Sequence, residues 1–146
     1  MKKNLLLIIV FGLFAFLLSF VHSPARLADV GTDPGVYQYV GNTILRGDVP
    51  YADAWDHKQP LTYFLYALAS VLTGRTSWAI WLLEFVSLWL TGIFSFLLLR
   101  RYLGRMVSAA VVLVLLFSTW SFYGFGNPEQ LALPFYAASL LLFQKI

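Results

Sequence analysis

The side chains whose types and spacing could do chemistry are Asp33, Tyr37, Arg46, Asp56, His57 and Lys58, all before residue 60, with Glu129 far downstream. A carboxylate can take a proton from a hydroxyl, and an ammonium can stabilise negative charge gathering on a leaving group. Asp33 is the candidate base. Lys58 is the candidate cation, a compact charge suited to phosphate, and Arg46 is a second one. Asp53 and Asp56 could hold a divalent ion through water, but isolated acids among turn-formers and aromatics are more often solvated, so no metal site is assigned and no cofactor is inferred. His57 could orient a phosphate or an acceptor; a surface hydrogen-bonding histidine is the commoner case. Each candidate also has a plain structural alternative. Asp33 would serve as a helix N-cap worth about 1 kcal/mol, Lys58 as a lysine at a membrane edge, and Glu129 as an acid at a helix start behind Asn127-Pro128.

The elements that must position these groups follow from local pattern. Asp33-Pro34 reads as an N-cap with proline at the first helical position, and Val36, Tyr37, Val40, Ile44 and Leu45 recur at helical spacing until Gly47. This predicts an amphipathic helix over 34–46, lying on a bilayer surface. The stretch that follows is dense in turn-formers, and Tyr39, Tyr51 and Trp55 suit the headgroup depth at which amphipathic rings are stable.

Composition supplies the solvent. Sixty percent of the 146 residues are hydrophobic and only 12% are charged, too few to solvate a globular surface. The ten basic residues are scattered between apolar runs rather than gathered on one face, which argues against nucleic acid as a partner. With no cysteine, disulfides and thiolate chemistry are excluded. The expected fold is all-α and polytopic, with spans at about 5–21, 77–99, 106–122 and 128–144. The run 61–73 is too short to cross, about 20 Å against a hydrocarbon core of about 30 Å, and is expected at the interface or re-entrant. On that topology Lys2, Lys3, Arg100, Arg101, Arg105 and Lys145 lie inside with no acid, while the outside holds six acids and four bases. That asymmetry obeys the positive-inside rule. The expected location is the cell membrane, amino terminus cytoplasmic, with 22–76 outside and 22–60 as the outer loop. Glu129 then falls on the same side as Asp33.

Read in order, Asp33-Pro34-Gly35-x-Tyr37, Gly47-x-x-Pro50-Tyr51 and Trp55-Asp56-His57-Lys58-Gln59-Pro60-Leu61 resemble the first outer loop of the C-type (GT-C) membrane glycosyltransferases. The likeness is to the bacterial branch similar to protein O-mannosyltransferases and aminoarabinose-lipid A transferases. Two departures are Pro34, where a second acid is common, and Gln59, in place of the first of two prolines. The resemblance implies an N-terminal fragment of such a core, and inverting sugar transfer from a polyprenyl-phosphate-sugar lipid to a glycan, lipid or protein acceptor at the outer face. It implies Asp33 as base, Lys58 at the donor phosphate and Glu129 near the acceptor; Tyr37, Asp56, His57 and Arg46 complete the set of candidate substrate contacts.

Glu84 lies about two turns inside a span, where an unpaired charge costs several kcal/mol, so it is expected neutral or paired. Arg75 is the partner considered, if it folds inward; the alternatives are a cavity or a further helix. Two rival readings stand beside the transferase. One is a non-catalytic membrane subunit, or inactive fragment, using the outer loop to bind lipid or protein. The other is a transporter fragment, which would need several ionisable groups near the midplane where only Glu84 qualifies.

Overall fold

The computed structural model describes residues 2–27, 31–123 and 126–143, with side chains from residue 5 onward. Six α-helices lie there: α1 (Lys2–Phe20), α2 (Thr32–Ile44), α3 (Pro60–Thr73), α4 (Trp78–Leu99), α5 (Arg105–Tyr123) and α6 (Pro128–Phe143). No strand occurs among the described residues. The expected inner charges of the Lys2, Lys3 and Lys145 side chains, the expected last-span end at Gln144, and Gly124-Phe125 ahead of Glu129 lie outside the described residues. Two helices, α4 with 22 residues and α5 with 19, are long and apolar enough to cross a membrane. The described apolar part of α1, Leu5–Phe20, and α3 are shorter. The 16 residues of α6 reach about 24 Å, and its internal Pro134 leaves the Gln130 carbonyl without its helical donor.

Helix α4 is the hub, in contact with all five others. Helix α1 runs antiparallel to it: His22 meets Glu84 at one end, Phe16 packs on Trp81 and Phe85, and Phe11 reaches Phe96 toward the other. Helix α5 returns alongside, with Leu116 against Gly92 and Trp120 stacked on His22. Helix α6 then runs parallel to α4, with Gly126 ahead of it against Ile80, and Gln130 beside Glu84. The result is an up-and-down bundle with a core of Phe11, Ala15, Leu88, Phe96, Ala109, Val112 and Leu116. Its α4–α5 connection, carrying Arg100, Arg101 and Arg105, sits at the end opposite His22.

Helices α2 and α3 form a cap over the His22 end. Their axes approach closely at Gly41, where an added Cβ would lie 2.9 Å from the Ala67 nitrogen and 2.9 Å from the Tyr66 Cβ. Tyr37, Val40, Ala54, Tyr63, Tyr66, Ile80 and Leu131 make a second core between cap and bundle. Hydrogen bonds tie the layers: Tyr66 Oη donates to the Gly126 carbonyl at 2.6 Å, and Gln38 Nε2 to the Thr76 carbonyl at 2.6 Å. Both ends of α3 lie at this end of the bundle. Lys58, just before it, contacts Glu129 at the start of α6, and residues 74–77 after it lead into α4. The outward face of α3, Leu61, Phe64, Leu68 and Leu72, is exposed and apolar.

Two local expectations change. The N-cap of α2 is Gly31, with φ of 76°, and no side chain caps the helix; Asp33 occupies the second helical position. The residue before Thr32 must take a left-handed conformation, which glycine adopts without a Cβ penalty. The buried stripe keeps Tyr37 and Val40, with Ile44 packed beside them, but takes in Pro34, Gln38, Gly41 and Thr43 and leaves Val36 exposed. The reason is that α2 packs on α3, where the missing side chain of Gly41 admits the backbone at Tyr63, Tyr66 and Ala67. Gly47 does end the turn, at φ of 94°, with the Asp48 N–H bonded to the Thr43 carbonyl and the Gly47 N–H to the Ile44 carbonyl.

Candidate functional site

The polar site forms where the loop before α3 meets the start of α6. Pro60 opens α3 at its first turn, where a missing N–H costs nothing, and this sets the exit direction of residues 55–59. Two tyrosines then clamp Lys58 by its backbone. Tyr51 Oη donates to the Lys58 carbonyl at 2.6 Å, and the Lys58 N–H donates to Tyr63 Oη at 3.0 Å. Tyr63 Oη in turn donates to Asp56 Oδ2 at 2.9 Å, and His57 Nδ1 lies 3.1 Å from Asp56 Oδ1. Tyr51 holds a left-handed backbone, φ of 69°, which is costly for a bulky residue and persists because its ring packs on Trp55 and Tyr63. With its backbone fixed, Lys58 extends Nζ to Glu129 Oε1 at 3.3 Å.

Tyr37 sits under this pair, its side chain buried at the cap core. Burial pushes its phenol up from the ordinary value; Lys58 opposes that, and Asp33, Asp56 and Glu129 add to it. Four charges thus act on one phenol, which stays protonated at neutral pH. Partial burial pulls the Lys58 ammonium down, but hydrogen bonds to Glu129 and Tyr37 and the charge of Glu129 outweigh it and leave Lys58 raised. Burial and the bond to Asp56 likewise push the Tyr63 phenol well up.

The structure therefore brings together Tyr37, Asp56, His57, Lys58 and Glu129, with Asp33 exposed nearby at the α2 start. Arg46 does not join them. It lies beyond the other end of α2, pairs with Asp48 at 3.5 Å and leans over the Tyr39 ring. Asp53 accepts the Val49 N–H at 2.7 Å and so shapes a turn. No group of three or more metal-ligating side chains occurs among the described residues. Sequence reasoning missed Tyr51 and Tyr63, which look like ordinary interface aromatics until their hydroxyls are placed. It also missed His22 as the partner of Glu84, at 2.9 Å, in place of Arg75. The sequence held no signal for this pairing, since His22 follows the first apolar run while Glu84 was placed about two turns inside its span. Gln130 reaches toward the same carboxylate without closing a bond, leaving Gln130 Nε2 and Glu84 Oε2 buried and unsatisfied.

Beside Glu129 a cavity of about 700 Å³ opens between α3 and α6, walled mainly by apolar residues that include Leu61, Leu65, Leu131, Ala132 and Phe135.

These features define a class: an all-helical chain with an apolar bundle and a polar, tyrosine-braced cap at one end. Within that class, the chain belongs to the Competence-induced Ccs4 N-terminal domain family, whose model matches residues 2–146. No curated protein and no solved structure matches it. The family match overturns the likeness to C-type glycosyltransferases, and with it the expected enzyme class and the inverting sugar transfer with Asp33 as base. The physical reason the motif misled is visible in the loop. Asp56, Lys58 and Pro60 have architectural work in this turn, as acceptor for Tyr63, as the clamped backbone and as the helix opener.

Proposed function

We propose that this chain is a non-catalytic, multi-pass membrane module that displays its α2–loop–α3 cap on the outer face as a platform for binding lipid or protein. Helices α1, α4, α5 and α6 are the spans, and α3 lies in the interface with Leu61, Phe64, Leu68 and Leu72 toward the acyl region. The observation that carries this reading is the seating of the cap at the end of the bundle opposite Arg100, Arg101 and Arg105. Supporting it, the outer surfaces of α1 and α5 expose Leu6, Leu13, Leu17, Val107, Val114 and Phe117, a belt that has no favourable place in water. Basic residues at one end and acids at the other agree with amino-terminus-inside insertion. The natural chain has no cysteine, so labelling has no background. In intact cells, Asp53→Cys reacts with an impermeant maleimide and Leu103→Cys reacts only after permeabilisation. Outside labelling at 103 would overturn the topology.

A further inference from the structure

We infer that the cavity between α3 and α6 holds one chain of a bilayer lipid whose headgroup carries a primary ammonium beside its phosphate; this rests on the membrane reading above. The cavity runs down α6 from Pro128 to Ser139. Eleven helical steps give about 16 Å, roughly half the hydrocarbon thickness and so the depth of one leaflet. Its volume, about 700 Å³, falls within the range of ligand cavities, about 300–1,000 Å³.

An apolar wall alone would only attract the annular lipid that surrounds any span. What selects here is the mouth. Glu129 is part of the cavity wall, and its carboxylate meets Lys58 Nζ at 3.3 Å, with the two side chains 53% and 21% exposed. An ion pair with one exposed partner and a separation of 3.3 Å is weak, so each partner can be exchanged. A zwitterionic headgroup matches both halves: its phosphate takes the Lys58 ammonium, and its ammonium takes the Glu129 carboxylate. The remaining nearby charges, Asp33 and Asp56, are acids. They favour the ammonium and oppose a headgroup that is only anionic. A trimethylated ammonium has no N–H to donate to Glu129 and binds less well.

The test uses the full chain in nanodiscs of equal parts phosphatidylethanolamine, phosphatidylglycerol and phosphatidylcholine, with retained lipid read by native mass spectrometry. Phosphatidylethanolamine is expected to be retained about fivefold over each of the other two. Glu129→Gln, at an exposed position, and Lys58→Gln, at a partly exposed one, should each abolish the preference without changing the melting temperature by more than a few degrees. Leu65→Trp, filling the wall, should lower total retention. Equal retention of the three lipids, a preference for phosphatidylglycerol, or a preference that survives both mouth substitutions would overturn the inference. Cysteine labelling at 53 and 103 in intact cells separates the two failures: correct sidedness without headgroup preference sinks the lipid site alone, and wrong sidedness sinks the membrane reading.

Discussion

At the scale of single residues, the loop is organised by tyrosine hydroxyls. Tyr63 is fully buried, accepts the Lys58 N–H and donates to Asp56, so Tyr63→Phe removes both bonds and leaves an N–H and a carboxylate oxygen to find other partners. A loss of about 1–3 kcal/mol is expected, because leaving such groups unsatisfied costs more than an average hydrogen bond contributes. Thermal unfolding followed by tryptophan fluorescence would show it, and an unchanged midpoint would mean the clamp is not structural. Lys58 supplies a pH dependence. Its raised folded value means that pairing favours the folded state below the ordinary lysine value, about 10.4, and that this contribution disappears as pH rises through the higher folded value. Loop protection against hydrogen exchange should therefore be insensitive to Lys58 titration at neutral pH and should weaken only in the alkaline range. Lys58→Gln should flatten that alkaline loss. Asp33, His57 and Lys58 were legible as candidates because charged residues are conspicuous in an apolar sequence. The tyrosines that hold them were not, since a phenol declares its role only through the partner it finds.

Among the elements, α2 and α3 are the pair most dependent on one contact. Gly41 lets the two backbones meet, and a methyl there would sit 2.9 Å from backbone nitrogen and from Tyr66 Cβ, neither of which can yield as a flexible side-chain end would. Gly41→Ala is expected to destabilise the cap by about 1–3 kcal/mol, the usual range for overpacking. Proteolysis of the loop at residues 48–59 should accelerate while the bundle core at Phe11, Leu88 and Leu116 stays protected. Loss of cap and bundle together would show that they unfold as one unit. Helical periodicity was enough to find α2, to within about two residues at each end. It placed Tyr37, Val40 and Ile44 on the packed face but also put Val36 there and left out Gln38 and Gly41, because hydrophobicity cannot distinguish a lipid neighbour from a protein one. Packing on α3 favours small Gly41 over exposed Val36, and that preference has no hydropathy signature.

For the whole molecule, the joint between bundle and cap is a buried polar knot. His22, in the turn after α1, stacks on Trp120 of α5 and meets Glu84 of α4, while Gln130 of α6 stands beside them and accepts the Gly126 N–H. Removing one partner of a buried pair is costly because the other remains buried without it, by about 3–5 kcal/mol in typical cases. His22→Ala should therefore lower thermal stability strongly, Glu84→Gln less, since its amide still reaches the imidazole. Non-additive losses in the double variant would identify the pair as one unit; simple additivity would return the two residues to separate roles.

Composition and charge order, which are local properties of the chain, were sufficient for the all-helical architecture, the apolar helices α1, α4, α5 and α6 and the separate polar segment before Pro60. On the proposed membrane reading, an apolar run in lipid must satisfy its backbone within the segment, as a helix does, so the element list needs no long-range information. The pairings that make the site do need it. Lys58 and Glu129 are 71 residues apart and His22 and Glu84 are 62 apart, and nothing near either member specifies the other. Those meetings were decided by how α6 runs along α4 and how α3 folds back over both. The same packing decided that Asp33 would stand free in the first turn of α2 and that Arg46 would be left at its far end.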